Sequence, residues 1–112
     1  MLETFDAPAN CTRVRFTSDE LTSLCPLTGQ PDFNSVEIDY QPNERCIESK
    51  SLKLYLWSFR DKGAFCEQLA ADIASEVQRA AEPVHVRVIV TQHTRGGIVT
   101  EATAELPAIS SQ

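Results

Sequence analysis

The sequence predicts an α+β fold: an antiparallel four-stranded sheet with two helices on one face, in the order strand, strand, helix, helix, strand, strand. Three observations carry this. Val84, Val86, Val88 and Val90 alternate with His85, Arg87, Ile89 and Thr91, a period of two that belongs to a strand. Leu52, Tyr55, Leu56 and Phe59 share one helical face, and Phe65, Leu69, Ile73 and Val77 recur every four residues. The chain has 112 residues, enough for one compact domain over 1–112 and not for two.

Each element has its own signal. Asn10 to Thr17 mixes Val14 and Phe16 with Arg13 and Arg15, the alternation of a half-buried strand. Pro26, Gly29 and Pro31 crowd the stretch from Thr22 to Asp32, which is therefore expected to be a loop. Val36, Ile38 and Tyr40 alternate with Glu37 and Asp39 in a second strand, and Gln41-Pro42-Asn43 reads as a turn. A first helix is expected from Ser49 to Arg60, with Lys50, Lys53 and Arg60 on its polar side. Gly63 breaks the chain. A second helix runs from Ala64 to about Ala81, with Phe65 opening its inner stripe and Pro83 closing it. Arg95-Gly96-Gly97 is a turn between the valine strand and a final strand from Ile98 to Glu105. The tail from Pro107 to Gln112 is expected to fray. Such a sheet has two open edges, and a chain this small keeps much of its surface exposed, so pairing between subunits is expected.

Composition narrows the function. Hydrophobic residues make up 42% and charged residues 23%, the balance of a soluble globular protein. The net charge of -6 argues against a nucleic-acid partner, which needs a basic face. Met1 to Asp6 is acidic where a signal peptide is basic, and no apolar run approaches a membrane span. The expectation is a cytoplasmic protein with reduced thiols and no membrane partner. Cys11, Cys25, Cys46 and Cys66 form no CxxC pair and no Cys/His cluster with zinc spacing, so no metal is expected.

The candidate chemistry begins at Cys25, a thiol in a proline-flanked loop with Asp32 seven residues on. An isolated cysteine is commonly a small buried hydrophobe, but loops on rigid scaffolds carry reactive groups. An attacking thiol must be a thiolate or have a base nearby, and Asp32 is the ionisable group nearest in sequence. A lone aspartate there also fits a simple turn. Glu48-Ser-Lys-Ser-Leu-Lys puts two lysines and two hydroxyls at a helix start, where free N–H groups attract anions. A helix cap with a solvated basic side fits equally. Arg95-Gly96-Gly97 suits a phosphate contact or a plain hairpin turn. Glu67, beside Phe65 and Leu69, is a carboxylate near an apolar stripe and would need a donor partner, unless it is exposed on the helix flank.

These residues carry a resemblance. CPLTGQPD (Cys25 to Asp32), IESKSLKLY (Ile47 to Tyr55), SFRDKGAFCE (Ser58 to Glu67) and RGG (Arg95 to Gly97) resemble the 7-cyano-7-deazaguanine reductases, the NADPH-dependent nitrile reductases of queuosine biosynthesis (a tRNA modification). The likeness runs in order from about Cys11 to Glu105. It implies the tunnelling fold, a ββααββ unit assembled into homo-oligomeric rings with sites between neighbours; a decamer of two pentamers is the candidate assembly. It implies Cys25 as the nucleophile that captures the nitrile as a thioimide, and Asp32 as proton donor. Ile47, Glu48 and Ser49 would line the substrate pocket, with Cys66 beside Glu67, which would grip the guanine-like edge of the base. Ser49, Lys50, Arg95 and Gly96 would hold the phosphate end of NADPH.

One position departs from the family. The residue before the Glu67 equivalent is usually histidine, and here it is Cys66, which cannot shuttle protons near neutrality as imidazole does. If Cys66 faces the pocket, the proton step leans on Asp32 or the substrate differs; oxidation could also pair Cys66 with Cys25. His93, near Arg95, could compensate for the missing imidazole, but reads first as a surface histidine. Two rivals follow: a related amidinotransferase that captures a nitrile on tRNA and adds ammonia, and a non-catalytic deazaguanine-binding module. The first is opposed by the intact ESKSLKLY segment and the acidic charge.

Overall fold

The computed structural model describes residues 1–107. Eight elements follow in order: β1 (Thr4–Asp6), β2 (Val14–Leu24), β3 (Pro31–Gln41), β4 (Arg45–Ile47), α1 (Ser49–Trp57), α2 (Cys66–Ala81), β5 (His85–Arg95) and β6 (Ile98–Leu106). The four long strands form an antiparallel sheet in the order β2-β3-β5-β6, and β1 pairs with β4 in a separate two-stranded ribbon. The expected α+β order of two hairpins around two helices is observed. The ribbon is an addition, because three-residue strands are too short to display a period.

Register explains which face is buried. Val36, Ile38 and Tyr40 of β3 lie opposite Val90, Val88 and Val86 of β5, and all six are buried. α2 packs across β5 and β6 on this face, while α1 lies along β2. Leu69, Ile73 and Val77, the expected inner stripe of α2, are fully buried. Each such aliphatic side chain contributes about 1.5–3 kcal/mol. The opposite face carries charge, including the Arg13–Asp39 and Arg15–Glu37 pairs.

Two bulges change the phase of the sheet. Ser18 faces Val36 and Leu21 faces Asn34, so β2 holds one residue more than β3 over that interval. Before the bulge the inward residues of β2 are Val14, Phe16 and Ser18; after it they are Leu21 and Ser23. A second bulge lies in β5, where Gln92 faces Thr100 and Arg95 faces Ile98. It moves Arg95 from the outward set to the inward one. Gly96 and Gly97, both at positive φ (58° and 78°), make the two-residue turn that follows.

Several boundaries differ from expectation. Thr22 to Asp32 is not all loop: Thr22, Ser23 and Leu24 pair with Phe33, Asp32 and Pro31, leaving only Cys25 to Gln30 irregular. Pro31 is tolerated because it opens its strand. β2 begins at Val14 rather than Asn10, and β3 spans Pro31–Gln41 rather than only Val36 to Tyr40. α1 ends at Trp57 instead of Arg60, although Phe59 stays buried beyond it. α2 begins at Cys66 rather than Ala64. Phe65 is its N-cap and is 54% exposed, so it does not belong to the inner stripe. The helix stops at Glu82, which takes a left-handed conformation ahead of Pro83. Beyond Pro107, the expected frayed tail lies outside the described residues.

Candidate active site

Cys25 follows the last residue of β2, and the local sequence dictates how its sulfur is held. The Gly29 N–H donates to the Cys25 carbonyl at 2.8 Å, closing one helical turn over Pro26, Leu27 and Thr28. Pro26 suits the first position of such a turn, where no N–H is needed. Gly29 ends the turn at φ 73°, a conformation glycine adopts freely. Cys25 therefore stands where a capping residue stands, beside the Thr28 hydroxyl and the Thr28 and Leu27 N–H groups. These donors, Thr28 foremost, lower the thiol pKa against desolvation and the nearby Asp32 charge. The Cys25 N–H donates to the Gln30 carbonyl at 2.8 Å, which closes the base of the loop.

Asp32 sits opposite Ser23 on the inward face and is buried. The inward stripe of β3 runs Tyr40, Ile38, Val36, Asn34, Asp32, apolar for most of its length and polar at the Cys25 end. Asn34, also buried, donates to the Leu21 carbonyl at 3.2 Å and to the Ser23 hydroxyl at 3.4 Å. Arg95, turned inward by the β5 bulge, donates to the Asp32 carboxylate and to Gln30 Oε1 at 3.3 Å. The residue expected at a cofactor phosphate thus stands beside the expected proton donor.

The start of α2 reaches the same end of the sheet. Leu24 donates to the Lys62 carbonyl at 2.9 Å and accepts from the Ala64 N–H at 3.1 Å, so Gly63 lies along β2 next to Cys25. Glu67 follows in the first turn of α2, exposed, where the helix dipole favours a carboxylate. Cys66 points the other way. Its sulfur lies 3.3 Å from the Val90 carbonyl and 3.8 Å from that of Thr100; burial raises its pKa. The structure places this thiol in the core, not on the surface with Glu67. Cys25 and Cys66 are both free thiols. His93 is exposed in the β5 bulge.

The remaining predicted residues lie elsewhere. The Ile47 N–H donates to the Tyr40 hydroxyl at 2.8 Å, and burial pushes that hydroxyl up to about 12. Tyr40 and Asp32 are eight residues apart on one strand, about 26 Å. The Ile47 side chain is buried. Glu48 caps α1, its carboxylate accepting from the Lys50 and Ser51 N–H groups at 2.7 Å each, and these bonds lower its pKa. An anion at this helix end would therefore meet side chains rather than those N–H groups. Ser49 and Lys50 are exposed, and no ion pair among the described residues uses Lys50. Ser49 also borders a groove of about 580 Å³ between α1 and β2–β3, lined by Phe16, Leu52 and Trp57 but not by Cys25.

The structure thus brings together Cys25, Asp32, Arg95 and Gly96, with Glu67 nearby, and sets Ile47 to Lys50 apart. Sequence reasoning missed Ser23, Asn34 and Thr28. Ser23 carries no alternation signal because the β2 bulge intervenes, and Asn34 continues the β3 alternation as a polar residue where an apolar one would mark the inward face; Thr28 was legible as the third residue of a Cys-Pro-x-Thr-Gly turn. Among the described residues no group of three His, Cys, Asp or Glu side chains could hold a metal. No helix among them is long and apolar enough to cross a membrane.

Comparison with known proteins adds to this geometry. The family model described as QueF-like protein matches residues 31–110. An NADPH-dependent 7-cyano-7-deazaguanine reductase from Alkalilimnicola ehrlichii is 54% identical over 86 residues, covering 77% of this chain and 67% of the relative. Its namesake from Thioalkalivibrio sulfidiphilus is 44% identical over 106 residues, covering 93% and 82%. The crystal structure of an archaeosine synthase QueF-Like in the apo form superposes with a TM-score of 0.84 at 26% identity, covering 93% of this chain and 99% of that one. The chain belongs to the QueF-like family.

Proposed function

We propose that this chain reduces the nitrile of 7-cyano-7-deazaguanine to the aminomethyl group at the expense of NADPH. The observation that carries the reading is the Cys25 sulfur, held by loop donors with its pKa lowered, close to a buried Asp32. The names of the relatives supply the substrate and the reductant.

The Cys25 sulfur adds to the nitrile carbon; its thiol proton passes to the Asp32 carboxylate and from there to the nitrogen, as a C–S bond forms and one C–N π bond opens. The product is a thioimide. NADPH supplies hydride twice, first to the thioimide carbon and then to the released imine. After the first transfer the C–S bond breaks, Cys25 leaves as thiolate and the imine is freed. The second hydride and a proton complete the amine. Glu67, exposed and acceptor-only, suits the adjacent ring N–H and amine of the base. Lys50 and Ser49 suit a phosphate through their side chains, and Arg95 and Gly96 complete that contact, since the guanidinium has N–H donors beyond those given to Asp32 and Gln30.

The separation of Ile47–Lys50 from Cys25 supports a ring assembly in which one subunit supplies the nucleophile and its neighbour the cofactor motif. The open outer edges of β2 and β6 suit such pairing. A cytosolic setting, which keeps Cys25 reduced, belongs to the same reading.

The test is a stoichiometric assay. The purified protein is expected to oxidise two NADPH per 7-cyano-7-deazaguanine, and Cys25→Ala to abolish this. The likeness to an archaeosine synthase favours a second reading, nitrile capture without reduction. An adduct on Cys25 by intact mass with no NADPH consumed would select it, and reversible binding without adduct would select a binding module.

A further inference from the structure

We propose that the groove between α1 and β2–β3 is the subsite for the adenosine end of NADPH, with the adenine against Trp57 and the phosphates toward Ser49. The inference rests on the reductase reading above and deepens it. The groove holds about 580 Å³, within the range of roughly 300–1,000 Å³ that takes a small molecule. Its floor is apolar: Val36, Ile38, Leu52 and Leu56 line it and are buried. Trp57, in its wall, is 57% exposed, an aromatic side chain that the core does not use. The Arg60 guanidinium lies 3.8 Å from the centroid of the indole and donates to the Trp57 carbonyl at 3.1 Å, so one face of the ring is covered and its orientation held. A purine stacked on the other face gains contact without ordering the ring anew.

Charge sets the direction of the ligand. The start of α1 follows Ile47, whose N–H meets Tyr40 at one end of β3, and the chain beyond α1 returns to set Gly63 beside Leu24 at the other. α1 therefore runs along β2 from Phe16 toward Glu20. Ser49 and Trp57 mark opposite ends of the groove, about 12 Å apart by the helical rise. Lys53 lines the groove between them and is exposed, and no ion pair among the described residues uses it or Lys50. These two ammonium groups and the Ser49 hydroxyl match the 2′-phosphate and diphosphate of the adenosine half. Glu20 lines the base end. Its carboxylate suits the exocyclic amine of adenine and repels phosphate, which disfavours the reverse orientation.

Trp57 is the sole tryptophan of the chain, so its emission reports on this groove alone. The probe is adenosine 2′,5′-bisphosphate, which carries the adenosine end of NADPH without the nicotinamide and so without energy transfer from the indole. Titrated into the full chain, it is expected to quench Trp57 emission saturably. Adenosine 5′-phosphate is expected to bind roughly threefold or more weakly, and nicotinamide mononucleotide to leave the emission unchanged. Lys53→Ala is expected to weaken the bisphosphate roughly three- to tenfold, the loss of one charged contact, and Lys53→Arg to keep most of the affinity. Trp57→Ala, read by calorimetry because the reporter is gone, is expected to weaken it as well. Equal binding of the two nucleotides, or an unchanged affinity in Lys53→Ala, would overturn the proposal. So would a blue-shifted emission that ignores the bisphosphate, which would mark the groove as covered by a second copy of the chain. In each of these cases continued NADPH oxidation with 7-cyano-7-deazaguanine would leave the reductase reading standing. Absence of both NADPH oxidation and nucleotide binding by calorimetry would overturn that reading and this proposal together.

Discussion

Two thiols in one chain meet opposite environments, and the contrast sets their expected reactivity. Donors of Thr28 and Leu27 at a loop turn hold the Cys25 pKa down; Cys66 is buried against two carbonyls, and burial pushes its pKa up. Thiolate is the reactive form, so Cys25 should label first with iodoacetamide and Cys66 should stay protected while the protein is folded. This also disfavours their oxidation to a disulfide, since Cys66 would have to leave the core. Asp32 acts against its neighbour, because its charge raises the Cys25 pKa. Asp32→Asn is therefore expected to lower the alkylation midpoint and to quicken labelling at neutral pH. The same variant should lose NADPH turnover by two or more orders of magnitude, the range for a removed general acid. Faster labelling with slower turnover would separate the proton role from thiol activation; slowed labelling would contradict the electrostatics. Cys25 and Asp32 were legible as residues, because proline, glycine and spacing marked their loop. The placement of Cys66 was not, because sequence spacing does not say which way the first residue of a helix points.

At the scale of elements, legibility follows the hydrophobic period. β5, the core of β3 and the inner stripe of α2 were readable because their buried residues repeat without interruption. β2 was lost beyond Thr17 because its bulge moves the inward set from Phe16 and Ser18 to Leu21 and Ser23, and a period-two reading cannot continue through the shift. The same device in β5 concealed the pairing of Arg95 with Asp32. Ile73, at the centre of the α2 stripe, is fully buried; Ile73→Ala is expected to cost about 2–5 kcal/mol in chemical denaturation. The other side of α2 holds the N-terminal segment. Glu76 accepts from Arg79 and from the Leu2 N–H at 2.9 Å, and chiefly through Arg79 its carboxyl falls to about 2 from 4.5. Its folded value lies below the unfolded one, so its contribution is complete above about pH 4.5 and is lost as pH falls toward 2. Glu76→Gln should be less stable by about 1–3 kcal/mol at neutral pH. Its acid limb should be shallower across that window in a urea titration repeated at several pH values.

For the whole molecule the decisive fact is distance. Cys25 and Asp32 lie at one end of β3, whereas Ile47 to Lys50 begin at the other, about 26 Å away along the strand. Both motifs belong to the family pattern, so sequence alone treats them as one site; the strand direction sets them at opposite ends of the sheet within one chain. A homo-oligomeric ring joins like to unlike surface at each interface, so each site would draw its nucleophile from one subunit and its cofactor motif from the next. This has a quantitative consequence. Cys25→Ala removes the proposed nucleophile and leaves Lys50; Lys50→Ala is expected to weaken cofactor capture and leaves Cys25. Each variant alone should show little NADPH oxidation at limiting cofactor. Unfolded together in equal amounts and refolded as mixed rings, they should recover about a quarter of wild-type activity, because that share of sites draws both intact residues. Mixing the folded proteins without dissociation should recover none. Activity that stays absent in mixed rings of verified composition would mean that Cys25 and Lys50 act within one subunit, and the separation along β3 would then need a rearrangement of α1 to close.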